Sequence, residues 1–215
     1  MKEISTMYDM DYYEDGERTG KSCYVDYRWL PELTIPMVQR MIEYLGIGTE
    51  ESVLDFGCAK GYLVKAFREV GIEAYGIDVS SYATASAPMD IKEHIIKVVP
   101  GEIIPLLGGK KYDWFIAKDV FEHVEEKDLY NQLLCLGSAC KKGFAIMPLG
   151  DGEAFVVPDY EKDITHKTKQ PLAWWINEFE KAGFEIERAC YRVAGIKENW
   201  NKWEKGNGFI EVKVK

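Results

Sequence analysis

The stretch Val53–Leu63, VLDFGCAKGYL, decides the frame in which the rest of the chain is read. Apolar Val53 and Leu54 lead into Asp55, then a turn with Gly57 and Gly61, then a new amphipathic run. Leu63, Ala66, Phe67 and Val70 repeat at helical spacing and Gly71 closes them, so the stretch reads strand, glycine turn, helix. Upstream, Val38, Met41, Ile42 and Leu45 share one helical face that ends at Gly46. Downstream, EAYGIDVS, HIIKVV, YDWFIAKD and GFAIMPLG read as strands, with a helical stripe of Leu129, Leu133, Leu136 and Cys140 between the last two. Residues 81–93 form no clear element, because SAPMD breaks any helix. A second helix carries Leu172, Trp175, Ile176 and Phe179 on one face and ends at Gly183. FEIERACYRV and GFIEVKV close the chain, the latter alternating Ile210, Val212 and Val214 with Glu211 and Lys213 as a strand with one buried face.

Strands alternating with helices imply an α/β fold with a doubly wound, mostly parallel seven-stranded sheet of Rossmann-like type. The last two strands are separated only by the thirteen-residue polar segment 194–206, which makes an antiparallel pair more plausible than a crossover, so they are expected to finish the sheet as an antiparallel hairpin. The expected organisation is an N-terminal arm or lid over residues 1–35 and one domain over 36–215, with a polar insertion at 150–170. The arm, acidic and tyrosine-rich, reads as irregular.

Charge and cysteine content narrow the function. A net charge of −9 gives no broad basic footprint for nucleic acid. Five scattered cysteines without a CxxC, and three histidines, favour reduced thiols and no metal site. No apolar run suits a signal peptide or a membrane span, so a cytoplasmic, soluble protein is expected.

The glycine turn then selects a cofactor. A dinucleotide site needs G-x-G-x-x-G, and here Ala59 and Tyr62 occupy the second and third glycine positions. The alternative, acid-x-Gly-x-Gly/Ala-x-Gly, is met by Asp55, Gly57, Ala59 and Gly61. An acid at the strand end suits a ligand with a positive amino group, and S-adenosylmethionine carries one. Asp78, 21 residues beyond Gly57, closes the second strand where a carboxylate can accept hydrogen bonds from both ribose hydroxyls. The alanine is tolerable if its φ is negative.

VLDFGCAKGYLV, GIDVS, YDWFIAKDVFEHVEEKDL and KKGFAIMPLG, in this order, resemble class I S-adenosylmethionine-dependent methyltransferases of the small-molecule type, over roughly residues 36–193. The resemblance implies that Asp55, Gly57, Ala59 and Gly61 form the cofactor loop, that Asp78 holds the ribose, and that Val79 lies beside adenine. It also implies an acid for the adenine amino group. Glu102 fits that role or is an exposed turn residue, with Asp90 as a weaker rival. KDVFEHV resembles the family's D-x-x-E-H run, which places Asp119 near the cofactor's methionyl end.

Methyl transfer is an in-line displacement in which the protein mainly aligns the acceptor and takes up its proton. His123 has a side chain whose ordinary pKa suits a base near neutrality, though it can equally cap a helix or shape the site. His166, in the insertion, is the second candidate, as base, acceptor-orienting residue or solvated loop histidine. Its surroundings, D-x-T-H followed by WW, resemble methyltransferases of sugar and polysaccharide pathways. Trp174 lies off its helix's apolar stripe and is a candidate substrate or partner surface. The expected reaction is methylation of a small molecule at oxygen, with a sugar or saccharide precursor as one candidate. No [DN]PP[YF] run or Pro-Cys nucleophile supports a nucleobase acceptor. The alternatives are an inert S-adenosylmethionine-binding scaffold and a dinucleotide-dependent oxidoreductase, and the arm fits either a lid or a homodimer contact.

Overall fold

The computed structural model describes residues 6–99, 104, 108–109 and 111–215. Seven strands, β1 (Ser52–Phe56), β2 (Glu73–Asp78), β3 (Ile95–Lys97), β4 (Tyr112–Lys118), β5 (Cys140–Pro148), β6 (Phe184–Cys190) and β7 (Asn207–Val214), form one sheet. Their spatial order is β3-β2-β1-β4-β5-β7-β6. The first five pair in parallel, and β7 runs antiparallel to both β5 and β6. The expected fold class is therefore the observed one, hairpin included. The strand order reverses between β1 and β4, and the crevice beyond their carboxyl ends is where such sheets bind ligands.

Helices α1 (Met10–Glu14) and α2 (Gly16–Thr19) lie in the arm, followed by α3 (Pro31–Leu45), α4 (Tyr62–Glu69), α5 (Ser81–Ala85), α6 (Glu126–Ala139) and α7 (Leu172–Lys181). One face of the sheet buries Val38 and Met41 of α3 with Val64 and Phe67 of α4. The other buries Leu129, Leu133 and Leu136 of α6 with Trp175 and Phe179 of α7. Two separate cores on the two faces are what a doubly wound sheet requires.

Local structure departs from, or adds to, the sequence reading at five points. The arm is not irregular: Asp9 caps α1 by accepting from the Tyr12 amide at 3.1 Å, and Tyr12 and Tyr13 are buried. Helix α3 starts at Pro31, where a missing N–H costs nothing, and runs through Pro36. In α4 the buried set is Val64, Ala66 and Phe67, while Leu63 turns toward the crevice. Strand β7 is buried on both faces, with Ile210 and Val212 in one core and Phe209 in the other; Glu211 is 8% exposed and is satisfied by Arg188 of β6. Trp174 packs against the core and edge-on to Trp175 and does not line the crevice.

Candidate active site

A cavity of about 970 Å³ opens at the carboxyl ends of β1, β2 and β4. Its floor is the glycine turn. Gly57 has φ +77°, and a Cβ there would stand 2.6 Å from a methyl of Val120, so only glycine fits. Gly61, φ +78°, packs beneath the turn against Ile91 and Ile95 and does not reach the cavity wall. Ala59 has φ +49°, so the condition under which an alanine is tolerated without strain, a negative φ, is not met. The turn imposes a left-handed conformation that crowds the alanine Cβ, at a cost of about 1–2 kcal/mol. Tyr62, which excluded the dinucleotide pattern, donates to the Tyr27 carbonyl at 3.3 Å and helps anchor the arm.

Asp55, Asp78 and Val79 all line the cavity. Asp55 is 4% exposed, and burial, with the nearby Asp78 charge, pushes its carboxyl up to about 8 against the partial offset of Lys118. Asp78 is also raised by burial, but it accepts from the Ala59 and Ser80 amides, each at 2.7 Å, which favour its ionised form. A buried carboxyl raised by desolvation, beside a second carboxyl held by two backbone amides at the next strand end, fits a ligand with one amino group and one diol. Glu102 lies outside the described residues. Asp90, its rival, is ion-paired with Lys65 at the surface and does not line the cavity.

Beyond β4 the backbone bends at Asp119, φ +57°. Its carboxylate is held by Lys118 at 2.6 Å and by Lys197, and these two cations bring its pKa well below the ordinary range despite burial. Lys197 comes from the 194–206 segment, is itself left-handed at φ +53°, and has a side chain 4% exposed. Two strained, ion-paired residues at one wall are the pattern of a functional site. The sequence carried no sign of Lys197, because a lysine in a polar connection reads as solvated.

The fold brings the two candidate histidines together. Their ring centroids are 4.7 Å apart although 43 residues separate them. His123 Nδ1 lies 2.8 Å from Thr165 Oγ1, which donates to Asp163 at 2.5 Å, so the histidine nitrogen is the donor. His166 Nδ1 lies 2.7 Å from the Tyr160 carbonyl and must also donate. Both rings therefore carry the proton on Nδ1 and leave Nε2 with its lone pair. Burial, reinforced by His166, lowers His123 to about 4, and burial lowers His166 too. Glu122 is fully buried, and its raised pKa follows from burial and the Asp119 charge.

The arm and the insertion roof this region. Tyr12 donates to Asp163 at 2.7 Å, the Ile164 amide donates to the Lys21 carbonyl at 3.2 Å, and Lys60 ties Glu14 and the Tyr27 carbonyl to the glycine turn. Tyr8, Tyr24 and Tyr160 join the lining.

This strand order with an acid–glycine turn and a second acid at the end of β2 defines the fold of class I S-adenosylmethionine-dependent methyltransferases. A family model described as "Methyltransferase domain" matches residues 28–189, and the chain belongs to that family. With the family comes its cofactor, S-adenosylmethionine. Similar solved structures include the glycopeptide N-methyltransferase MtfA complexed with sinefungin (12% identity, TM-score 0.61, 85% of this chain and 87% of that one). The mitomycin 7-O-methyltransferase MmcR is 15% identical at TM-score 0.60, over 85% of this chain and 54% of that one. An S-adenosylmethionine-dependent methyltransferase from Clostridium acetobutylicum is 10% identical at TM-score 0.62, over 86% and 92%. At such identities the likeness is one of fold. A comparison with curated proteins returns no significant match. No helix among the described residues is long and apolar enough to cross a membrane.

Proposed function

We propose that the chain transfers the methyl group of S-adenosylmethionine to an oxygen of a small molecule bound under the N-terminal arm, with a hydroxyl-rich acceptor such as a sugar as the preferred class. One observation carries this: a single cavity runs from Asp55 and Asp78 to the His123–His166 pair. The cofactor's amino group would meet Asp55, its ribose Asp78, and its adenine would lie by Val79. Asp119, held by two lysines, is fixed beside the methionyl end. The methyl would then face the histidines, whose free Nε2 lone pairs suit orienting an acceptor hydroxyl or receiving its proton. The tyrosine hydroxyls and rings of the roof supply donors and flat apolar surface, and the residue 1–35 arm serves as the lid.

Calorimetric titration with S-adenosylmethionine and with NAD is the first test, and binding of NAD alone would sink the proposal. Transfer of labelled methyl from S-adenosylmethionine to a panel of polyhydroxylated and phenolic acceptors is the second. Turnover in wild type that falls at least about tenfold in kcat in His166→Ala is the expected result. Cofactor binding with no transfer to any acceptor class would leave an inert scaffold instead.

A further inference from the structure

Glu122, His123 and His166 each offer a ligand atom, and these atoms lie within 4.8 Å of one another. From this juxtaposition we infer a divalent-cation site of two imidazoles and one carboxylate at the acceptor end of the cavity.

Three further observations support it. Among the described residues, neither carboxylate oxygen of Glu122 has a hydrogen-bond partner, although the residue is 0% exposed. Burying an unsatisfied carboxyl is costly, and native structures avoid it unless something else completes the group. Both imidazoles are already oriented as ligands: each donates Nδ1–H to a protein acceptor, His123 to Thr165 backed by Asp163 and His166 to the Tyr160 carbonyl. That outer hydrogen bond fixes the tautomer and points a lone pair inward, as in metal-bound histidines generally. All three residues line the cavity, so a bound ion would keep positions open toward it.

Tetrahedral bonds of about 2.0–2.2 Å place donors about 3.3–3.6 Å apart, so side-chain shifts of about an ångström would close the site. Lys118 and Lys197 are the cations nearby, and both are engaged by Asp119. Two nitrogens and an oxygen suit zinc, cobalt, manganese or ferrous iron better than magnesium or calcium. Spacing along the chain hid the site, because its third ligand comes from the insertion.

Its role rests on the proposed function. With the ion bound, the Nε2 lone pairs would hold it in place of the acceptor, and an acceptor oxygen on its open position would be held near the methyl group with its hydroxyl made more acidic, the proton passing to solvent.

The test uses the full chain freed of metal, without cofactor or acceptor, titrated with Co2+ and with Zn2+. The expected result is one equivalent bound at micromolar or lower concentration, with Co2+ visible bands of nitrogen and oxygen ligation and no thiolate charge-transfer band. His166→Ala and Glu122→Gln should each weaken binding at least about tenfold while circular dichroism shows a folded chain. Thr165→Val, which touches no ion, should weaken it less, and it keeps the proposal testable if a ligand variant fails to fold. Binding weaker than millimolar, binding by thiolate, or binding indifferent to these substitutions overturns the site. That failure leaves methyl transfer untouched, and failure of S-adenosylmethionine to bind leaves the cation result untouched.

Discussion

Replacing Asp55 by asparagine tests how the cofactor end of the cavity works. In the cofactor-free protein Asp55 is raised from the ordinary 3.8 to about 8 by burial and by Asp78, with Lys118 opposing. Between those limits the folded chain holds a proton that the unfolded chain has lost. The stability contribution is therefore fully present below pH about 4 and is lost as pH rises through about 8, at up to about 1.4 kcal/mol per pH unit. From pH 5.5 to 7.5 the wild type should lose up to about 2.7 kcal/mol relative to Asp55→Asn, read by denaturant unfolding. The cofactor reverses the balance, because a cationic amine beside Asp55 favours the carboxylate. Binding should then release close to one proton, and affinity should rise up to about tenfold per pH unit between pH 5.5 and 7.5, above which the amine itself begins to deprotonate. Calorimetry in two buffers of different ionisation enthalpy counts that proton. A pH-independent affinity with no proton released refutes the reasoning. Release that persists in Asp55→Asn moves the proton to Asp78.

Three further outcomes follow from the same geometry. Asp78→Ala should weaken S-adenosylmethionine by about 1–3 kcal/mol, about 5- to 150-fold by calorimetry, and unchanged affinity removes Asp78 from the site. Ala59→Gly should raise stability by about 0.5–1 kcal/mol in thermal melts, since relief of the left-handed strain exceeds the added chain entropy; a loss of stability means that the alanine methyl, packed against the tyrosine cluster, contributes more than the strain costs. Tyr12→Phe breaks the buried contact to Asp163, which should cost about 1.5–3 kcal/mol and speed proteolysis within the arm before the core. Equal cleavage rates in the two proteins would argue against that contact as the latch of the lid.

The parts of the fold that were legible are those whose cause is local. Periodicity in α6 and α7 gave their buried faces, and the short 194–206 connection favoured an antiparallel close to the sheet. What failed depended on neighbours distant in sequence. Glu211 alternates like a surface residue, yet β6 and β7 pair so that Arg188 covers it. Leu63 has the spacing of a core residue, but its helix is rotated so that Val64 takes the core position. The left-handed φ of Ala59 was not legible, because composition does not reveal the handedness of a turn. The arm's tyrosines looked like an irregular tail because their partners, Tyr62, Tyr82 and Asp163, lie on other elements.

Sequence alone determined the class: Asp55, the turn glycines and Asp78 lie within 24 residues and act through local backbone geometry, so strand–turn–helix order suffices to place them. Tertiary structure alone decided the acceptor end. His123, His166, Asp163 and Lys197 come from the end of β4, the insertion and the last connection, and their mutual distances are set by how the sheet edges and the roof pack. Burial then changed what each can do. It set the histidines neutral with fixed tautomers and left Glu122 a buried carboxyl without a hydrogen-bond partner among the described residues, properties that arise from surroundings rather than from residue type.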